Sequence, residues 1–242
     1  MSLLQASGLV RHFGGLRAVD GVDFDLAPGE VHGLIGPNGA GKTTFVSLLS
    51  GRIPVQSGQI FLDGDEITRL SAQARVKQGL AYTFQITSIF PGLSVFDNVA
   101  LAVQGGRDSV GALRGDKAAL GHAVAAALGK VGLEHHRAQM AGELSYGHQR
   151  LLEVAMGLAL KPRVLILDEP TQGLAAGEIA GFMALVRSLV PEVAVLMIEH
   201  NMDVVMGAAD RITVLNFGTV LACGTPAEMR ADRAVQEAYL GA

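Results

Sequence analysis

Short unbroken apolar runs in this chain alternate with stretches where apolar residues recur every second or every third to fourth position. Residues 3–30 read as a strand-rich opening. Within it Val22-Asp23-Phe24-Asp25-Leu26 alternates with the period of a half-buried strand, and Pro28-Gly29 supplies a turn. Val31-His32-Gly33-Leu34-Ile35 is apolar enough for a buried strand. Thr44–Ser50 then follows as a helix with one apolar face, stopping near Gly51. Gln59–Leu62 predicts a short strand turned by Asp63-Gly64, and Leu80–Phe84 another that ends at Gln85. From about Pro91 to Leu160 the chain is Ala-rich, with helices predicted over 118–131 and 149–160 and a charged loop over 105–115. This reads as a helical insertion between two strands of a core sheet. Val164-Leu165-Ile166-Leu167 is continuously apolar and ends in Asp168-Glu169-Pro170, the pattern of a parallel strand covered on both faces. A helix over 178–189, a second buried strand over Val193–Ile198, a hairpin of 212–215 and 219–222, and a closing helix over 230–240 complete the prediction.

Composition narrows the classes. The 242 residues suit one large α/β domain, or one domain with a substantial insertion. A net charge of −4 argues against a general nucleic-acid binder. The single cysteine, Cys223, excludes an intrachain disulfide and a cysteine-rich metal site, and is expected to be a packed strand residue. Met1–Gln5 lacks a basic region followed by an apolar stretch, and no apolar run approaches the roughly 18 residues of a membrane span, so a cytosolic location is expected. Hydrophobic residues make up 49% and charged residues 17%, which fits either a partner-covered surface or simple richness in Ala and Gly.

Candidate chemistry begins at Gly36-Pro37-Asn38-Gly39-Ala40-Gly41-Lys42-Thr43, a G-x-x-x-x-G-K-[ST] segment between a strand and a helix. Glycines let the backbone approach an anion, and the freed N–H groups and helix N-terminus face phosphates. Lys42 would reach the β- and γ-phosphates, and the Thr43 hydroxyl would ligate Mg²⁺. Asp168, at the carboxyl end of its strand, is placed to hold Mg²⁺; Glu169 beside it could orient and deprotonate water. His200 ends the next strand, where it could hydrogen-bond the γ-phosphate or the water, or serve packing. Ser145, in Leu144-Ser145-Tyr146-Gly147-His148-Gln149, fits an ordinary helix cap, or a cap whose N–H groups face an anion.

Taken in order, the phosphate loop, Gln85, Leu-Ser-x-Gly, a strand ending Asp-Glu and a later His resemble the ABC ATPases. The Leu-Ser-x-Gly serine precedes the strand-end Glu by 24 positions. The resemblance implies an α/β fold: a P-loop NTPase core sheet of ABC ATPase type, with an N-terminal antiparallel β-subdomain and an inserted helical subdomain at about 90–160, all in one domain over 1–242. It implies Phe13 as the aromatic under adenine, and Gly36 to Thr44, including Pro37, Asn38, Gly39, Ala40, Gly41, Lys42 and Thr43, around the triphosphate of ATP. Gln85 would contact Mg²⁺ and sense the membrane partner. Ser145 and Gly147 would bind the γ-phosphate of ATP held by a second ATPase subunit. Asp168 would be the metal carboxylate, Glu169 the catalytic base, and His200 the switch histidine. Two chains would sandwich two ATPs head to tail, beneath two integral-membrane permeases on the inner face of the cell membrane.

Three positions depart from the usual ABC pattern. Tyr146 replaces the first signature glycine, His148 replaces the signature glutamine, and Ala175 stands where an aspartate that links the two sites is expected. Leu144-Ser145-Tyr146-Gly147, Phe13-Gly14-Gly15-Leu16, Thr83-Phe84-Gln85 and the ending Ala238-Tyr239-Leu240-Gly241 together resemble the ATPases of branched-chain amino-acid importers. Urea and short-chain amide importers lie in the same branch. Such systems commonly add a periplasmic or extracellular binding protein. Lipopolysaccharide-export ATPases have a similar ending but usually keep both signature glycines. Soluble DNA-repair relatives insert a long coiled coil after the Gln loop; here only 60 positions separate Gln85 from Ser145, without sustained heptads.

Overall fold

The computed structural model describes residues 2–83, 88–106 and 116–240. In sequence order the elements are β1 (Leu4–Phe13), β2 (Leu16–Leu26), β3 (Val31–Ile35), α1 (Lys42–Leu49), β4 (Ser57–Leu62), β5 (Asp65–Glu66), α2 (Ala72–Gln78) and β6 (Leu80–Thr83). They continue with α3 (Val95–Gly105), α4 (Lys117–Val131), α5 (Tyr146–Ala159), β7 (Val164–Asp168), α6 (Ala176–Leu189) and β8 (Ala194–Ile198). The last are α7 (Met202–Ala208), β9 (Arg211–Asn216), β10 (Thr219–Gly224), α8 (Pro226–Ala231) and α9 (Arg233–Leu240).

Two sheets form. One is antiparallel in the order β2-β1-β4-β5; the other runs β10-β9-β3-β8-β7-β6. In the second, β9, β3, β8, β7 and β6 are mutually parallel and β10 closes the edge as an antiparallel hairpin partner. The continuous apolar runs have the meaning expected of them, since all five residues of β3, β7 and β8 are buried. Alternate residues serve different cores. Leu165, Leu167, Val195 and Met197 join the cluster that includes Val99, Leu128 and Leu152 of the helices. Val164, Ile166, Leu196 and Ile198 face α1 and the antiparallel sheet, with Phe45, Leu48, Leu9 and Leu26.

Helices α3, α4 and α5 lie in sequence between β6 and β7, which pair directly. Each starts on a side-chain cap: Ser94 accepts from Asp97 N, Asp116 from Ala118 N and Ala119 N, and Ser145 from His148 N. Several boundaries differ from the sequence-based expectation. The closing helix is two, because Thr225 caps α8 with Pro226 in its first turn and the chain leaves helical geometry at Asp232. Helices α2 and α7 are too short for their periodicity to stand out. The 105–115 loop lies outside the described residues from 107 onward. Cys223 lies on the edge strand β10 and is exposed and not in a disulfide, although its sulfur accepts from Thr213 Oγ1 at 3.4 Å.

The turn before β3 is held by a charged cluster. Glu30 accepts from the Ala27 N–H at 2.6 Å and from Arg211 Nε at 2.9 Å, and His32 Nδ1 stands 3.4 Å away. Burial works against the Glu30 charge, but His32, the Ala27 amide and Arg211 outweigh it and hold the carboxyl down at about 2. A depressed folded-state value stabilises the protein above the ordinary 4.5, and this contribution is lost as pH falls from there toward 2. Unfolding followed by circular dichroism should therefore show a shallower loss of stability below about pH 4.5 for Glu30→Gln than for the native protein. Identical slopes would remove Glu30 from this role.

Candidate functional site

The site is built at the carboxyl ends of the parallel strands, where ligands bind in open α/β sheets. Strand β3 delivers Gly36, and the loop through Gly41 enters α1 at Lys42. Gly36, Gly39 and Gly41 have φ of 154°, 79° and 101°. Their necessity is not only toward an anion. A methyl group on Gly36 would stand 2.2 Å from the Leu215 carbonyl oxygen, and one on Gly41 would stand 2.2 Å from that of Ala18. The loop is thus wedged between the end of β9 and the start of β2, and Gly218 N donates to Ala40 O at 3.0 Å. Only at Gly39 is the space around such a methyl open. Gly36→Ala is expected to cost folding stability, because backbone yields far less readily than a flexible side group. A melting temperature equal to the native value would contradict that.

Lys42 is buried, and its Nζ donates to the carbonyl oxygens of Gly36 at 2.6 Å and Pro37 at 3.1 Å. Burial lowers its pKa, while the charges of Glu169 and Asp168 pull it back up. Ala40 is buried behind the loop; Asn38 and Thr43 are exposed, and Pro37 and Thr44 half-buried.

Asp168 closes β7, 4% exposed, and accepts from the Tyr82 hydroxyl at 2.5 Å. Burial raises its pKa; the Tyr82 bond opposes this and the Glu169 charge adds to it. Glu169 has φ 47°, a left-handed conformation uncommon for a non-glycine residue. Its N–H donates to Ile198 O at 2.9 Å. His200 Nδ1 stands 3.8 Å from Glu169 Oε2, with the imidazole 55% exposed. The fully buried Glu199 accepts from Thr171 N at 2.9 Å, Thr171 Oγ1 at 2.6 Å and His200 N at 3.3 Å. It thereby ties the loop after Glu169 to the end of β8.

Asp168 and Glu169 are adjacent at the end of β7, His200 lies beside Glu169, and the charges of both carboxylates act on Lys42. Phe13 ends β1 and is 46% exposed, with the Arg11 guanidinium 4.8 Å from its ring centre. Gln85 lies outside the described residues. Ser145 and Gly147 go elsewhere: among the described residues no hydrogen bond joins them to the phosphate loop. Ser145 caps α5, and a methyl on Gly147 would stand 2.6 Å from Glu178 Oε1. The other oxygen of Glu178 accepts the Ala175 N–H at 2.8 Å, so Glu178 closes the start of α6 where Ala175 offers no side-chain acceptor. The Tyr146 ring covers Gly173; a methyl there would come within 2.7 Å of it. Tyr82, Glu199 and Arg150 are contributors that sequence reasoning missed. The signal for Arg150 was its i, i+3 pairing with Glu153 in a helix otherwise apolar from Leu151 onward.

Residues 19–172 match the family model described as ABC transporter, and residues 219–242 match that described as Branched-chain amino acid ATP-binding cassette transporter. The chain is 39% identical to the high-affinity branched-chain amino acid transport ATP-binding protein BraF of Pseudomonas aeruginosa, over 99% of this chain and 98% of that one. The chain belongs to the ABC transporter ATP-binding family. The cassette is an ATPase and binds ATP. It is also 34% identical to the lipopolysaccharide export system ATP-binding protein LptB of Escherichia coli, over 100% of this chain and 98% of that one. A solved nucleotide-free ATP-binding cassette from an ABC transporter superposes with a TM-score of 0.89 at 25% identity, covering 100% of both chains. Among the described residues of the cassette, no helix is long and apolar enough to cross a membrane.

Proposed function

We propose that this cassette is the ATP-hydrolysing subunit of an importer for branched-chain amino acids or related small amides such as urea. The observation that carries the cargo class is the match of residues 219–242 to the family model of branched-chain amino acid cassettes. Support comes from Tyr146 in the signature, which the packing against Gly173 accommodates. Lipopolysaccharide export is the second reading, favoured by the full-length likeness to LptB at lower identity. Co-purification of the cassette with the permeases encoded beside it, followed by ligand screening of their external receptor, tests the choice. A receptor that binds leucine or an amide supports import; partners that extract lipopolysaccharide overturn it.

In this reading the 90–160 segment is a subdomain facing the permeases, and the cassette works as a pair with itself or a non-identical ATPase, peripheral to the inner face of the membrane. Lys42 supplies charge to the β- and γ-phosphates of ATP, Phe13 stacks under adenine, and Gly36 to Thr44 line the triphosphate. Glu169 accepts a proton from the attacking water, while His200 contacts that water or the γ-phosphate. The Thr43 hydroxyl and Asp168 carboxylate would hold Mg²⁺, with Gln85 as a further oxygen donor. The donors fit: Asp168 ends β7 with a buried carboxylate, and an all-oxygen set suits a hard cation. Mg²⁺ is usually held by one or two carboxylates together with substrate phosphates. When bound, the ion neutralises charge on the phosphates.

Ser145, which caps α5, and Gly147, packed on Glu178, are assigned to the partner's ATP. Ser145→Ala is therefore expected to slow hydrolysis in the partner's site by about tenfold, the scale of one charge-assisted hydrogen bond. It should leave binding in its own site unchanged. Mixed pairs carrying the variant in one subunit check this; equal loss at both sites refutes the assignment.

A further inference from the structure

Arg150 touches the candidate site without an assigned part in binding or hydrolysing ATP. It lies in the second turn of α5 and is 2% exposed. Nη1 donates to Glu153 Oε2 at 2.8 Å, and Nη2 donates to the carbonyl oxygen of Glu169 at 3.2 Å. Glu153 in turn accepts the Ser88 N–H at 3.3 Å, at the point where the chain leaves the Gln85 segment. The guanidinium carbon stands 5.9 Å from the Tyr146 ring, and that ring covers Gly173. One helix, starting at Ser145, thus touches the 169–173 loop of the same subunit twice, through a guanidinium and through an aromatic ring.

The residue Arg150 grips is the left-handed one. A non-glycine residue at φ 47° keeps that conformation only where its surroundings over-determine it. For Glu169 two of the clamps are visible: the Ile198 carbonyl takes its N–H and Arg150 donates to its C=O. Releasing one lets the backbone relax toward ordinary geometry and swings the carboxylate off its line. Neutralising Glu153 alone would not require the second bond. Arginine is suited to both because its planar fork presents separate donors in fixed directions, where a lysine offers a single charged point.

We propose that Arg150 is a positioning residue for Glu169, and that through it the seating of the signature segment and the aim of the carboxylate move together. Ala175 offers no carboxylate for coupling between paired sites, and this link runs inside one subunit. The proposal rests on the reading of Glu169 as base, and the experiment separates the two.

ATP turnover of the full-length protein is measured for Arg150→Lys, Arg150→Gln and Arg150→Gln with Glu153→Gln, beside Glu169→Gln. Misplacing a catalytic group by about 1 Å can cost on the order of a hundredfold in rate. Arg150→Gln is accordingly expected to lower kcat by about tenfold to a hundredfold, with KM for ATP within about twofold. It also takes the guanidinium charge away from the buried Glu153 carboxylate and loses stability; the double variant removes that charge, keeps an acceptor for Ser88, and should recover the native melting temperature while kcat stays low. Arg150→Lys satisfies Glu153, loses the Glu169 bond, and should drop kcat by about fivefold to tenfold at native stability. Native kcat in Arg150→Lys or in the double variant would overturn the proposal and leave the pair a packing feature. If instead Glu169→Gln turns over at the native rate, the base assignment is what fails.

Discussion

Glu169→Gln is expected to abolish steady-state hydrolysis, by roughly 10²–10⁴-fold, while ATP remains bound. Glutamine keeps the size and one acceptor oxygen, so the loop, the Ile198 bond and the contact from Arg150 to the backbone carbonyl are untouched. What disappears is a group able to take a proton from water. Only the chemical step should suffer, so the nucleotide should accumulate uncleaved and hold paired subunits closed. Phosphate release gives the rate, and size-exclusion chromatography with ATP gives the pairing. Turnover at the native rate would remove Glu169 from this role and shift attention to His200, 3.8 Å away.

Lys42→Ala should act on a different quantity. Its ammonium is the charged donor that closes the phosphate loop, and hydrogen bonds to charged groups contribute about 1.5–3 kcal/mol each. ATP affinity is therefore expected to fall by about tenfold to a hundredfold, measured by calorimetry with Mg²⁺ present. Stability should fall as well, because Lys42 is buried and its removal leaves the Gly36 and Pro37 carbonyls without that donor and takes a counter-charge from Asp168 and Glu169. Unchanged affinity would mean that the loop amides alone hold the triphosphate.

The sequence makes legible those features whose cause is local. Buried strands β7 and β8 announce themselves as unbroken apolar runs, β3 as a segment apolar enough to be buried, and the phosphate loop as glycines between a strand and a helix. Asp168 and Glu169 stand out because two carboxylates end an apolar run. What the sequence hides depends on neighbours distant in the primary structure. Tyr82 reads as one more strand residue until β6 pairs with β7 and its hydroxyl meets Asp168. Glu199 reads as the residue before a histidine until Thr171 is folded against it. The purpose of Gly36 and Gly41 was half visible: the motif points to an anion, whereas the carbonyls of Leu215 and Ala18, which leave no room for a methyl, come from other strands. Tyr146, a departure from the common signature, has its explanation in Gly173, 27 positions later.

That wedging has a thermodynamic consequence. A turn held against two carbonyls with no spare volume is a rigid mould before any guest arrives. Little ordering entropy then falls on the binding step, and the affinity of this cavity reflects its contacts more than its own assembly.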